Sequence, residues 1–287
     1  MPSLIDFRRR IRSVKNTQQI TKAMKMVSAA KLRRAQDRVI AARPYSKMLR
    51  EMLSNVAAAA GDNEAASENP LLAVREQKKA LLVVVTADRG LCGGFNGNLI
   101  KRAVAFVREN PGIEFTFDLV GRKGRDFFKK RYSGVSGEMV GIFLKSPAYA
   151  DAIELSKRVM QQYADGEIDA VYLAVNEFKS VMAPNITVKR ILPLEVPAES
   201  GAGDYVYEQD PVELLGTLLP RYVEVQMYGA LLESAAAEHA ARMTAMDSAS
   251  SNAGDVIEKL TLYMNRVRQA AITKEIIEIV SGASALE

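Results

Sequence analysis

Apolar positions recur at helical spacing along the first sixty residues. Phe7, Ile11 and Val14 open a stripe, Ile20, Met24 and Val27 sit in a shifted register, and Leu32, Ala35, Val39 and Ala42 resume the first. Steps of three and four residues return a side chain to the same helix face. Neither Gly nor Pro occurs from Ser3 to Arg43, and helix formers dominate to Ala60, ahead of Gly61-Asp62-Asn63. One long helix is predicted, with a bend or interruption at Pro44, which lacks an N–H and crowds the preceding turn, unless a neighbour holds the rod straight. The uneven seam argues against a strict coiled coil from this half alone.

The C-terminal stripe is more regular. Met243, Met246, Ser250, Ala253, Ile257, Leu260, Met264, Val267 and Ala271 alternate three- and four-residue steps, as a coiled-coil helix does. No proline occurs from Arg221 onward, which permits a helix of up to ~65 residues, roughly 100 Å at 1.5 Å per residue. The simplest partner for its stripe is the N-terminal helix, folded back antiparallel, since each must bury an apolar face.

Between the two helices the period changes. Ala80–Thr86 is a β-branched run ending in a glycine-rich turn, followed by a helical stretch from Phe95 to Glu109. A strand over Phe115–Val120, a charged helix over Arg122–Tyr132, a short strand near Met139–Phe143, a helix over Pro147–Ala164 and strands over Ala170–Phe178 and Ile186–Leu192 follow. Alternating strands and helices predict a mostly parallel sheet with an antiparallel edge. The expected fold is α/β: a long antiparallel coiled coil of N- and C-terminal helices with an inserted Rossmann-like domain. Its expected parts are residues 1–60, 78–195 and 210–287, with a Pro/Gly/Ser linker from Pro193 to Gly203.

Charge sharpens this picture. The net charge of +5 divides unevenly, because residues 1–50 hold fourteen Lys or Arg against Asp6 and Asp37. The first helix is a cationic rod on a mildly anionic body, suited to a solvated face, a nucleic acid or an acidic protein sleeve. The longest apolar run, Ala80–Val85, is far below the roughly 18 residues that span a bilayer. The N-terminus has no apolar core or cleavage site of a secretory signal, and its Arg-rich start runs on as patterned helix, unlike a transit peptide. Cys92 is the single cysteine, which fits a reducing compartment and excludes a disulfide within the chain.

Enzyme chemistry finds few residues. The loop Asp88-Arg89-Gly90-Leu91-Cys92-Gly93-Gly94 lies where phosphate-binding turns sit, yet it lacks both the dinucleotide glycine spacing and the P-loop Gly-Lys-Ser/Thr. It reads as a tight strand-to-helix turn presenting Asp88, Arg89 and Cys92 at the surface. His239 is the only histidine, so a His/Cys zinc site is not expected and Cys92 lacks an evident base. No cofactor and no catalytic residue are predicted.

Four segments carry a family resemblance. Lys15–Lys31 (KNTQQITKAMKMVSAAK), Asp88–Gly94, Ala241–Ala249 (ARMTAMDSA) and Ile272–Ala285 (ITKEIIEIVSGASA) resemble the corresponding stretches of ATP synthase gamma subunits. Leu262-Tyr263-Met264-Asn265 departs slightly from the usual wording. The resemblance implies a non-catalytic central shaft, one copy per complex, whose coiled coil stands inside a hexamer of alpha and beta subunits. It implies a foot on the epsilon subunit and the c-ring, at the cytoplasmic side of the bacterial inner membrane with no direct membrane contact. By the same resemblance Met24, Lys25, Asp88, Arg89, Cys92, Arg242, Gln269 and Thr273 are subunit contacts, and Tyr205, Tyr207 and Glu208 belong to the foot. The alternative is a basic coiled-coil nucleic-acid-binding protein, against which stand the acidic body and the lack of a base-reading module.

Overall fold

The computed structural model describes residues 4–60, 69–178, 180, 184–194 and 207–284. The chain divides into two compact units, one of Met1–Ser28 with Met243–Glu287 and one of Ala29–Arg242. Two helices run through both: α1, Leu4–Ala60, and α5, Pro211–Ser284. The predicted break at Gly61-Asp62-Asn63 and the linker from about residue 195 fall outside the described residues.

In the smaller unit the two helices pair antiparallel. Phe7 stacks on Tyr263 with ring centroids 5.1 Å apart, Gln18 Nε2 donates to the Ser250 carbonyl, and Lys25 Nζ meets Asp247 Oδ1 at 2.6 Å, so numbers rise on α1 as they fall on α5. The predicted stripe on α5 holds: Met246, Ser250 and Ala253 are buried and Ile257, Leu260, Met264, Val267 and Ala271 are half-buried.

The α1 seam corrects the expectation of a register shift. Ile20 and Val27 are exposed, while Phe7, Thr21 and Ser28 are buried and Ile11, Val14, Gln18 and Lys25 are half-buried. The three-four spacing therefore runs unbroken, and its middle positions are polar. Counting apolar residues alone loses the phase there. Ser250 Oγ lies 2.7 Å from Thr21 Oγ1, and each hydroxyl also reaches a carbonyl of its own helix, Met246 and Gln18 respectively. A satisfied polar layer of this kind costs stability relative to an apolar one and fixes register.

In the larger unit five strands form one sheet in the order β3-β2-β1-β4-β5. They are β1 Lys79–Val85, β2 Glu114–Val120, β3 Val135–Met139, β4 Ala170–Phe178 and β5 Pro184–Leu192; the first four are parallel and β5 is the antiparallel edge. The helices between them are α2 Phe95–Glu109, α3 Arg122–Phe128 and α4 Tyr149–Ala164. The strand expected near Met139–Phe143 is shifted: β3 ends at Met139, Gly141 adopts φ 90°, and Ile142–Leu144 is a 3-10 turn.

Alternation along β1 divides the core. Leu81, Val83 and Val85 face Leu155, Val159 and Tyr163 of α4, Leu49, Leu53 and Val56 of α1, and Leu219 and Val223 of α5. Leu82 and Val84 face Leu99, Phe117, Leu119 and Phe128 on the other side. A strand covered on both faces reads as a continuous apolar run, which is how Ala80–Val85 reads.

Two helices carry internal prolines: α1 continues through Pro44 without interruption, and α5 begins at Pro211 and continues through Pro220, ahead of the proline-free stretch that opens at Arg221. Pro44 and Ile40 are exposed, so the carbonyl that loses its intrahelical donor at Pro44 can bind water. At the start of α5, Asp210 Oδ1 accepts the Val212 N–H and Pro211 takes the first helical position, where a missing donor costs nothing.

The polar layer generates a prediction for urea unfolding. Ser250→Ala should cost about 1 kcal/mol by removing the hydrogen bond to Thr21 Oγ1, and in a Thr21→Val background the same change should cost clearly less. Additive losses would show that the two hydroxyls are not coupled.

Candidate functional site

The loop after β1 stands where the sheet order reverses, with β2 on one side and β4 on the other, the place at which open α/β sheets bind ligands. Here the anion hole is filled from within. Asp88 Oδ1 accepts the backbone N–H groups of Arg122 (3.1 Å) and Gly141 (2.9 Å), and Oδ2 accepts that of Phe143 (2.9 Å). The first of these opens α3, so a side-chain carboxylate takes the place a phosphate would have at that helix end. Gly121, at φ 90°, is required beside it, because a Cβ there would lie 2.1 Å from the Thr86 carbonyl oxygen.

This overturns the expectation that Asp88 and Cys92 are presented at the surface. Asp88 is 4% and Cys92 2% exposed, and only Arg89 of the three is exposed. Cys92 packs with Ala87, Phe95 and Ala237, and its sulfur accepts from Asn96 Nδ2 at 3.2 Å. Burial pushes the thiol pKa up, with Arg242 pulling the other way, so the group stays protonated and slow to react. What the loop does expose is Leu91, 65% accessible and at φ 63°.

Arg242 holds this loop to α5. Its Nη2 donates to the Gly90 carbonyl at 3.3 Å and to Glu238 Oε1 at 2.5 Å, one helical turn back. The side chains of Arg242 and Glu238 are 12% and 3% exposed. Burial raises the Glu238 pKa against the pull of Arg242, and its second oxygen has no hydrogen-bond partner. His239 is driven to about 4, first by burial and then by Arg242 and Lys31, so it is neutral near pH 7.

Of the residues singled out from sequence, Asp88, Arg89, Cys92 and Arg242 come together at this locus. Met24 and Lys25 lie half-buried on α1 in the smaller unit, Gln269 and Thr273 are exposed on α5, and Tyr207 packs half-buried against the main core while Glu208 is exposed. Tyr205 lies outside the described residues. Glu238 was missed. The signal for it was a Glu-x-x-x-Arg pair set among Ala235, Ala236, Ala237, Ala240 and Ala241, where the alanines mark close packing around the charges. Among the described residues no group of His, Cys, Asp and Glu could hold a metal, and no helix is long and apolar enough to cross a membrane.

The smaller unit is a two-helix seam, and in the larger unit the switch-point loop of an α/β sheet is closed by its own Asp88. The sequence model of the ATP synthase family matches residues 3–286. The ATP synthase gamma chain of Solibacter usitatus is 63% identical over 287 residues, covering 100% of both chains. Among solved structures, the central stalk and c-ring of Tetrahymena thermophila mitochondrial ATP synthase contains a chain that superimposes with a TM-score of 0.63 at 25% identity, over 80% of this chain and 99% of that one. A chain of the Euglena gracilis mitochondrial ATP synthase OSCP/F1/c-ring structure reaches a TM-score of 0.67 at 18% identity, over 99% and 94%, a likeness of fold. The chain belongs to the ATP synthase gamma-chain family. Nothing in these comparisons supports the nucleic-acid reading.

The His239 shift makes a pH prediction. A histidine whose folded pKa lies below its unfolded 6.5 stabilises fully above that pH and loses the contribution as pH falls through 6.5 toward 4. The stability of the wild type relative to His239→Gln should therefore drop over this window, by up to about 3 kcal/mol. Glu238 acts oppositely, costing stability as pH rises above its ordinary 4.5, so the wild-type curve alone is flattened. A constant difference between the two proteins in urea melts from pH 7 to 4 would contradict the burial of a neutral imidazole.

Proposed function

We propose that the chain is the central rotating shaft of an F1Fo ATP synthase, coupling ion flow through a c-ring to ATP synthesis or hydrolysis in a ring of alpha and beta subunits. The observation that carries this reading is the unbroken three-four seam on α1 meeting the matching stripe on α5. At 1.5 Å per residue the 57 residues of α1 and 74 of α5 give helices of roughly 85 and 110 Å. The chain itself is non-catalytic. Its part is to present different faces to three catalytic sites in turn, which requires torsional stiffness and an asymmetric surface.

The terminal segments, 1–60 and 210–287, make the shaft in this account, and 78–195 the inserted domain that stands toward the membrane. The foot, with Tyr205, Tyr207 and Glu208, meets the epsilon subunit and the c-ring, so membrane association runs through partners at the cytoplasmic face. Exposed Gln269 and Thr273 suit contacts along the upper shaft. Arg89 suits one at the loop, whereas buried Asp88, Cys92 and Arg242 act by holding that loop in shape. Fourteen cations in the first fifty residues give long-range attraction to acidic segments of the beta subunits without deep interlocking.

Met24 and Lys25 test the contact. Lys25 is engaged by Asp247 at 2.6 Å, and Met24→Lys adds a third cation to a surface with Lys22 and Lys25. A new ion pair with an acidic partner, about 1–3 kcal/mol at a partly shielded interface, must break at each step of rotation. The variant complex should assemble with alpha and beta subunits and hydrolyse ATP, yet pump fewer protons per ATP in membrane vesicles, with partial recovery at high salt. Unchanged coupling across the salt series would contradict an acidic partner at residue 24. Failure of the wild-type chain to enter a stoichiometric complex with alpha and beta subunits would overturn the function itself.

A further inference from the structure

One cleft in the larger unit opens beside Glu238 and His239. It has a volume of about 230 Å³, with Lys31, Arg34 and Arg38 of α1 on one wall, Lys145 and Ser146 after the 3-10 turn on the other, and Glu238 and His239 behind. Residues 31, 34 and 38 are spaced by three and four, so their side chains share one helix face. Arg38 donates to Ser146 Oγ across the two walls.

The four cations are exposed at the cleft, and Lys31 alone is felt by the Glu238 carboxylate. None of Lys31, Arg34, Arg38 and Lys145 forms an ion pair among the described residues. The one acid facing the cleft, Glu238, is committed through Oε1 to Arg242, and its buried Oε2 has no partner. Positive potential in the cleft also leaves a mark on its neighbour, since Lys31 is among the charges that depress His239. Like charges held together without counter-charge repel, and a compact anion removes that cost.

We infer that this cleft binds a small polyvalent oxyanion of the phosphate class. Two guanidinium groups supply planar forks for paired N–H···O contacts, two ammonium groups supply point charge, and the Ser146 hydroxyl supplies a neutral donor. The volume lies below the roughly 300–1,000 Å³ of pockets that enclose drug-sized ligands, which favours a bare oxyanion over a nucleotide with its base and sugar. The inference goes beyond the shaft role and does not rest on it.

Calorimetric titration of the full-length chain with inorganic phosphate, with ionic strength held constant by sodium chloride, tests it. The wild type should show saturable one-to-one binding. Arg34→Ala with Lys145→Ala should weaken it at least about tenfold. Arg33→Ala with Lys130→Ala removes the same charge at exposed positions outside the cleft and should change it by no more than about twofold. Circular dichroism establishes that each variant keeps its helix content. Absence of saturable binding, or equal weakening by both variants, would overturn the inference. Cleft-dependent binding of an acidic peptide in place of phosphate would also overturn it and assign the cations to a protein partner.

Discussion

Two helices of one chain can form a shaft only if each presents a stripe that the other can bury, and the rest of this structure depends on that match. On α5 the stripe is largely apolar, from Met243 to Ala271. On α1 it keeps phase through Gln18, Thr21, Lys25 and Ser28, where hydrogen bonds and an ion pair replace apolar contact. An all-apolar seam would be tighter, but it would also tolerate a slip by one heptad. A slip by one heptad would break the Thr21–Ser250 hydroxyl pair and set Thr21 against Met243 or Ile257, so the pair favours one register where apolar packing leaves it open.

The sheet is the second element of the design, and its most informative feature is the loop after β1. In a nucleotide-binding fold this loop would leave backbone amides free for phosphate. Here Asp88 of that loop reaches across to accept three backbone N–H groups of the neighbouring turns, those of Arg122, Gly141 and Phe143, and Arg242 ties the Gly90 carbonyl to the long helix. The same topology that elsewhere builds a binding site is used to fasten a loop to α5. Burying the Glu238–Arg242 pair is costly in desolvation, and the elevated Glu238 pKa records that cost. Its return is geometric: exposed Leu91, in a left-handed backbone conformation, is held in one place.

Much of this was legible in sequence because the period of the apolar pattern is a direct consequence of helix and strand geometry. The α5 stripe and the β1 run followed from period alone, and the alternation of strands and helices pointed to a mostly parallel sheet with an antiparallel edge without saying which strand forms it. The α1 register did not follow from period, since four of its core-facing positions carry Gln, Thr, Lys and Ser, and a hydrophobicity count assigns such residues to solvent. Whether Pro44 interrupts the helix was open in the sequence, because a proline's effect depends on whether the orphaned carbonyl reaches water, which requires knowing which face is outside. Asp88 and Cys92 misled for the opposite reason: loop residues read as exposed until the tertiary contacts that bury them are known. The site's ion pair was visible only as a Glu and an Arg four residues apart, a spacing more often found on solvated helix faces.

The central claim is that α1 and α5 turn together as one rigid body, without sliding or separating in the cycle. Thr21 and Ser250 face each other with their hydroxyl oxygens 2.7 Å apart, which makes Thr21→Cys with Ser250→Cys a means of joining the helices covalently. Cys92 is buried, which limits its part in this exchange. The measurement is ATP-driven proton pumping by the complex carrying this double variant, before and after oxidation, with disulfide formation quantified in the same sample. Full cross-linking with pumping unchanged is the result predicted for a shaft that rotates as a unit. Loss of pumping on oxidation, restored by reduction, would show that the helices must move against each other and would contradict the account.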